Sequence, residues 1–359
     1  GKGTCGKCKV NASGGLSALT ADEKKRLSED EIKSGMRLAC QVTLIGDASI
    51  IIPDRKKDNI LITSTHKAAK NHPLFARYGI AVDIGTTTLV LRLLSKKGLE
   101  ATAAARNPQA AFGSDVISRM AQALNGHAGN LQRLVLSAID TLVLKACQKA
   151  SVKPTAIDYA VLTGNTTMLH LLTGKDVAPL SRAPFIAEEL FGCEINAGEI
   201  DIPSLSNARF YLPRCISAFV GADVTTAVLA SDMTYLPISI MADLGTNGEL
   251  ALWKDGNLLC TSTAAGPAFE GAHIEHGMMA EEGAIDSVRV LHGQLVFTTI
   301  GNAPPAGICG SGLIDAISAG LELGMIEETG ALPKGNIALA GEVALTQRDV
   351  RQIQLSKSA

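Results

Sequence analysis

Positive charge is not in excess. Lys and Arg number 33 against 35 Asp and Glu, for a formal net charge of -2, so the chain has no surplus to track a phosphate backbone. Aromatic residues are scarce, 4% with a single Trp, which leaves few platforms for stacking bases. Together the two shortages argue against nucleic-acid binding. No uninterrupted apolar run approaches the roughly 18 residues of a membrane span, and the most apolar helical stretch, 215–230, is broken by Asp223. The opening Gly1-Lys2-Gly3-Thr4-Cys5 lacks the charged-then-apolar pattern of a signal peptide, and the chain does not begin with Met. Eight cysteines in 359 residues are too few for a disulfide scaffold, so a reduced, cytoplasmic compartment is expected. What is present, 46% hydrophobic and 19% charged residues, is the balance of a folded chain of two or three units.

Five cysteines, Cys147, Cys193, Cys215, Cys260 and Cys309, are scattered and read as small buried hydrophobes. Cys309, in a Gly-rich loop, has the best functional claim of the five. Cys5 and Cys8 differ. They form a C-x2-C within the first eight residues, with Cys40 further on. A plant-type [2Fe–2S] site uses C-x4-C-x2-C and a distant fourth Cys, and Cys5, Cys8 and Cys40 match three of those four thiolates. Small residues around Cys5 let the backbone wrap a cluster and aim N–H groups at its sulfurs. A zinc site or a redox C-x2-C are the alternatives, although a zinc ribbon needs a second close pair. The fourth Cys is expected just upstream of Gly1, so the sequence is expected to be a piece of a longer protein.

Residues 1–53 are expected to hold the end of a small β domain. A polar helical stretch runs from Thr20 to Lys33, and an alternating segment ends in Ile50-Ile51-Ile52-Pro53. The basic, weakly patterned residues 54–77 read as a linker. From Tyr78 onward strands and helices alternate, which gives an α/β class. Helical patterns are expected at about 113–125 and 130–150, with another helix from near Ala222. A strand runs through a Gly turn into a helix over Tyr159–Met168, and Ile238–Trp253 reads strand, turn, strand.

Two hairpins echo each other: Val82-Asp83-Ile84-Gly85-Thr86-Thr87 and Ala242-Asp243-Leu244-Gly245-Thr246-Asn247. Such self-similarity points to two related halves, 78–235 and 236–359. Gly lets the backbone approach a phosphate. Thr86, Thr87, Thr88 and Thr246 supply hydroxyls, turn N–H groups add donors, and an Asp at the strand end can hold Mg2+ through water. Gly-rich loops follow at Thr163–Thr166, Gly266–Gly271 and Gly307–Gly312, the last opening a helix whose N-terminus can face an anion. None is a P-loop or a well-placed G-x-G-x-x-G.

The paired hairpins resemble the phosphate motifs of the acetate and sugar kinase, heat-shock ATPase and actin (ASKHA) superfamily, whose halves are ribonuclease H-like. More narrowly, several stretches resemble the ATP-dependent reductive activators of corrinoid proteins. They are Asn107-Pro108-Gln109 with Phe112–Arg119, Thr163–Met168, Asp243–Glu249, Ala265–Gly271 and Gly307–Asp315. The resemblance implies an ASKHA ATPase preceded by the tail of a β-grasp [2Fe–2S] ferredoxin domain. It implies ATP, Mg2+ and the cluster as cofactors. It also implies a corrinoid protein and an upstream electron donor as partners, with a homodimer as the assembly. The activity implied is transfer of one electron to Co(II), restoring Co(I) for methyl transfer. A separate middle domain is expected to be absent, because Asp83 follows Cys40 closely. No Gly-Gly adenosine loop follows Val350, so the second half is expected to be incomplete.

On this basis Asp83 would hold Mg2+ through water, the alternative being a turn Asp that caps its own loop. Gly85, Thr86, Thr87 and Thr88 would hold phosphates, as would Gly245, Thr246 and Asn247 from the other half. Gly310 and Gly312 would add to the nucleotide site. Asp243 would be a second carboxylate at the metal. Asp223 would position the attacking water, or else serve only its helix N-terminus. Glu270 would touch the nucleotide or be a plain loop residue. Asn107, Gln109 and Asp115 are structural or partner-facing. The rival activities are a small-molecule kinase and a nucleotide-gated scaffold without turnover.

Overall fold

The computed structural model describes residues 8–51, 74–195 and 200–359. Cys5 and most of the expected linker 54–77 lie outside the described residues. The first unit pairs β1 (Lys9–Leu16) with β2 (Met36–Leu38) and β3 (Leu44–Ile51), in the order β2-β1-β3. The polar stretch between β1 and β2 forms two short helices rather than one, α1 (Ala21–Arg26) and α2 (Glu29–Lys33). Thr20 with Glu23, and Ser28 with Glu31, make consecutive capping boxes, and the second starts a new helix where the first would have continued. Glu23 is buried and receives the Arg37 fork at 2.8 and 3.0 Å, together with the Leu38 N–H at 3.0 Å. Burial opposes that charge, but Arg37 and the N–H groups of Thr20 and Leu38 outweigh it and hold the carboxyl at about 2. The alternation in β3 predicts one buried face. Instead Leu44, Ile45, Ile50 and Ile51 are all exposed.

The next unit centres on a six-stranded sheet of order β6-β5-β4-β7-β9-β8. Its strands are β4 (Tyr78–Ile84), β5 (Thr88–Ser95), β6 (Gly98–Arg106), β7 (Ile157–Gly164), β8 (Cys193–Ile195) and β9 (Arg209–Leu212). β4 pairs antiparallel with β5 and parallel with β7, so the carboxyl ends of β4 and β7 emerge side by side, where open α/β sheets bind ligands. The helices are α3 (Val116–Gln122), α4 (Ala128–Ala150), α5 (Thr166–Thr173), α6 (Ala178–Ser181) and α7 (Ala222–Ala230). Leu131, Val135, Ile139, Leu142, Val143 and Ala146 are buried on α4, the spacing of one apolar helical face. α3 and α4 are separated by a kink where Gly126 takes φ 91°.

In the last unit β10 (Ile238–Leu244), β11 (Gly248–Lys254) and β12 (Asn257–Thr263) form an antiparallel meander that repeats β4-β5-β6. One face of it packs against α7, with Val224, Val228 and Ala251 in the contact. The other face presents Ile238, Ile240, Leu244, Leu250 and Leu259, all exposed. Among the described residues β10 pairs only with β11. β13 (Ala284–Leu291), β14 (Gln294–Thr299) and β15 (Gly307–Ile308) form a further sheet under α8 (Gly310–Glu322), with Ile285, Ile308, Leu313 and Ala316 in its core. A hairpin of β16 (Ile337–Ala340) and β17 (Val343–Leu345) leads to α9 (Gln347–Ser358). No helix among the described residues is long and apolar enough to cross a membrane.

Candidate active site

The β4–β5 and β10–β11 turns face each other across a cavity of about 510 Å³. Asp83, Gly85, Thr86, Thr87 and Thr88 line it from one side, and Asp243, Gly245, Thr246 and Asn247 from the other. Asp223, in the first turn of α7, and Gly310, at the start of α8, complete the walls. Gly312 does not line the cavity. It is buried in α8, where a Cβ would overlap the Ile285 carbonyl, so its small size serves helix packing. A Cβ at Gly245 would meet only ordinary contacts, with Glu270 Oε1 and Asn247 O both 3.6 Å away.

Each turn is held from behind. In the first, Gly85 N–H donates to Thr88 O at 3.0 Å. The Asn107 amide donates to Gly85 O at 2.8 Å, Arg119 donates to Thr86 O at 2.6 Å, and Asn107 N–H donates to Thr87 O at 2.8 Å. Three successive carbonyls are thus drawn into the protein. Asn165 caps α5, accepting Met168 N–H at 2.9 Å, and its amide also donates to Thr86 Oγ1 at 3.1 Å. In the second turn Gly245 N–H donates to Asn247 O at 3.0 Å, and Gly266 N–H to Thr246 O at 2.9 Å.

Glu270 joins the two turns. Its Oε2 accepts the Thr87 hydroxyl at 2.7 Å, and its Oε1 accepts the Thr246 N–H at 3.1 Å and the Thr246 hydroxyl at 2.9 Å. A carboxylate here occupies donors of the kind a phosphate would take. Glu270 ends a short helix, Pro267–Glu270, between Gly266 at φ 79° and Gly271 at φ 76°, a region of backbone space that favours glycine.

Acid crowds the cleft. Asp83 opens onto the cavity yet is enclosed by protein on most sides. That desolvation, with the charges of Asp223 and Asp243, lifts its pKa to about 6. Asp223 is lifted to about 6 by desolvation and by Asp243, although it accepts Val224 N–H at 2.9 Å. Asp243 is raised by desolvation and then by Glu270. Glu249 is pushed to about 7 by desolvation and the charges of Asp223 and Asp243. It sits opposite Asp243 in the β10–β11 register and takes the Ser262 hydroxyl at 3.3 Å. At the corresponding place beside Asp83 stands Val90.

Among the described residues no group of three or more His, Cys, Asp or Glu side chains is placed to hold a metal ion by itself. In the first unit Ala39 N–H donates to Cys8 O at 2.8 Å, so Cys8 and Cys40 flank one end of the β1–β2 pair. Cys5, the third predicted ligand, lies outside the described residues.

Sequence reasoning left Glu249 and Asn165 without a role and Glu270 undecided. A lone carboxyl in the apolar strand Gly248-Glu249-Leu250-Ala251-Leu252 was the available signal for the first. Asn165 could have been found as a helix cap at the end of a strand.

Comparison with known proteins places the chain in a family. The family model described as the RACo middle region matches residues 78–235, a middle region in a chain expected to have no separate middle domain. The model described as the C-terminal domain of RACo, the ASKHA domain, matches residues 237–359. The corrinoid activation enzyme RamQ of Eubacterium limosum is 33% identical over 314 residues, 79% of this chain and 53% of that protein. The [Co(II) methylated amine-specific corrinoid protein] reductase of Methanosarcina barkeri is 27% identical over 310 residues, 77% of this chain and 56% of that protein. The chain thus spans about half the length of these relatives. The solved structure of a reductive activator for corrinoid, iron-sulfur protein is 27% identical and superposes with a TM-score of 0.73, covering 100% of this chain and 76% of that one. By its middle region and its C-terminal ASKHA domain, the chain belongs to the RACo family.

Proposed function

We propose that this protein is an ATP-dependent reductive activator of a corrinoid protein, returning Co(II) to Co(I) by transfer of one electron. The observation that carries the nucleotide part is the pair of Gly-Thr turns facing each other over one cleft, with Asp83, Asp223 and Asp243 between them. The donor set fits a polyphosphate: the hydroxyls of Thr86, Thr87 and Thr246, the last two held by Glu270 until displaced, and the Thr86 and Thr87 N–H groups. The carboxylates fit Mg2+ held through its own water shell, the mode that ion prefers.

In this reading Asp83 and Asp243 would hold Mg2+ through its water shell, and the ion would supply positive charge for the phosphates. Both turns bind the transferring phosphoryl group, whose charge they are placed to stabilise. Asp223 accepts a proton from the attacking water as ATP and water become ADP and phosphate. With a pKa of about 6 it is mostly ionised at neutral pH and so able to accept one. Closing or opening the cleft would then change how the two halves sit together, the movement by which hydrolysis is coupled to a partner.

Cys8 and Cys40, which border the same end of the β1–β2 pair, would be two ligands of a set that Cys5 and a fourth ligand would complete. A [2Fe–2S] cluster held there would supply the electron, at the strongly negative potential of plant-type clusters.

The deciding measurement mixes this protein, cluster-loaded and reduced without oxygen, with a Co(II) corrinoid protein, and follows the visible spectrum with and without MgATP. MgATP-dependent growth of the Co(I) band is expected. No such growth, with MgATP shown to bind, would overturn the activator reading, and phosphorylation of a metabolite instead would establish the kinase.

A further inference from the structure

Behind the first turn lies a cation that the chemistry above does not use. Arg119, on α3, is 0% exposed, and every acceptor it meets is neutral. Nε donates to Gly113 O at 2.9 Å, Nη1 reaches Gln109 Oε1 and the Met168 sulfur at 3.3 Å each, and Nη2 donates to Thr86 O at 2.6 Å. Among the described residues it forms no ion pair. The one carboxylate whose charge it feels is Asp115, and that side chain is committed to capping α3 through Ser118 N–H at 2.8 Å. Burial draws the guanidinium down to about 10, so it stays charged at neutral pH. A buried charge without a counter-ion is costly, and a fold keeps one where a ligand supplies the opposite charge.

The peptide that Arg119 grips has a second feature. Thr86 C=O and Thr87 N–H belong to the same peptide unit. Among the described residues neither Thr86 N–H nor Thr87 N–H donates to any acceptor, while the carbonyls of Gly85, Thr86 and Thr87 are all taken. A carbonyl bonded to a guanidinium polarises its peptide and strengthens the N–H at the other end. In the second turn the Thr246 N–H, counterpart of the Thr86 N–H, holds a carboxylate, that of Glu270. The Thr246 carbonyl, counterpart of the Thr86 carbonyl, is held by a neutral backbone N–H, that of Gly266.

We propose that Arg119 is the positioning residue of the first phosphate turn: it locks the Thr86 carbonyl inward, sharpens the Thr87 N–H as an anion donor, and places beneath the turn a charge whose counter-ion is the polyphosphate. The proposal rests on the nucleotide reading above. It makes the two walls of the cleft unlike. The first is cationic from within, and the second gives two of its donors to Glu270, which also reaches Thr87 of the first.

The test is calorimetric titration of the intact protein and its Arg119→Lys and Arg119→Gln variants with MgATP and MgADP, at low and moderate ionic strength. Wild type is expected to bind both nucleotides. Arg119→Gln is expected to lose about 10–100-fold in MgATP affinity, less in MgADP affinity, and part of the salt dependence. Arg119→Lys keeps the charge and one donor, and is expected to regain most of the loss along with the salt dependence. If Arg119→Gln does not fold, the Lys variant decides: folded and binding within about tenfold of wild type supports the role, and folded without binding overturns it. Equal losses for both nucleotides, with Lys no better than Gln, would mark Arg119 as structural only, and unchanged binding would also overturn the proposal. A wild type that binds neither nucleotide would instead bring down the nucleotide reading itself.

Discussion

Replacing Glu270 by Ala should tighten MgATP binding. Its carboxylate holds three donors, the hydroxyls of Thr87 and Thr246 and the Thr246 N–H, at 2.7–3.1 Å. A phosphate arriving at either turn has to displace it, and also approaches a fixed negative charge. Hydrogen bonds to a charged group are worth about 1.5–3 kcal/mol net. Water repairs part of what is broken, so removing one such competitor should lower the Kd for MgATP by about 10–100-fold. Glu270→Gln keeps an acceptor oxygen but loses the charge, and should fall between. A second signature follows from Asp243, whose pKa Glu270 helps to raise: in Glu270→Ala its ionisation, and with it the onset of Mg2+ dependence, should move to lower pH. The assay is titration with MgATP from pH 5.5 to 8, with thermal unfolding run alongside. Binding that is unchanged or weaker in a folded Glu270→Ala protein would refute the reasoning and show that Glu270 helps to hold the nucleotide.

Asp223→Asn should retain MgATP binding while losing at least about 100-fold in hydrolysis rate, the size expected of a general base; a single-turnover assay separates the two. Asp83, Asp223 and Glu249 have pKa values raised to about 6, 6 and 7. Their contribution to stability is therefore full below about pH 4 and is lost as pH rises through 6–7; thermal unfolding of the cation-free protein should show this, and Mg2+ should offset it. Glu23 runs the other way. Its value of about 2 contributes on the order of 3 kcal/mol above about pH 4.5, lost as pH falls toward 2, and Glu23→Gln should cost about 3–5 kcal/mol in denaturant unfolding because it strands Arg37. Gly221→Ala should destabilise by about 1–3 kcal/mol, since its Cβ would collide with Asn165 and would lie 2.7 Å from both Thr166 N and Asp223 Oδ1; a wild-type melting temperature would show that this junction of α5 and α7 can relax.

The facing turns were legible because their chemistry is local. Asp, Gly and Thr at fixed offsets between two apolar strands leave few other structures, and the repeat of that pattern pointed to two walls. α4 was legible through its period. The support behind the walls was not. Arg119 and Asn107 act on backbone carbonyls, which carry no side-chain identity to complement, and their targets lie far back along the chain. Glu270 reaches Thr87 across the whole span between the two turns, and only a folded structure brings them together. Glu249 was hidden by its strand, whose apolar neighbours made one carboxyl look like an edge position. The split of α1 from α2 was written in Ser28 and Glu31, but the continuous polarity of Thr20–Lys33 obscured it.

The meander β10–β12 has a consequence for handling the protein. Its outer face carries Ile238, Ile240 and Leu259, each more than half exposed, while β4, its counterpart in the first half, has both edges paired. An apolar edge strand with a row of open N–H and C=O groups is a template for pairing with another chain. Among the described residues only β11 quenches it. The same strand carries Asp243 and runs into the second turn, so one element serves both the site and an open sheet edge. Ile240→Lys, on the strand face opposite Asp243 and Glu249, is expected to disfavour such pairing.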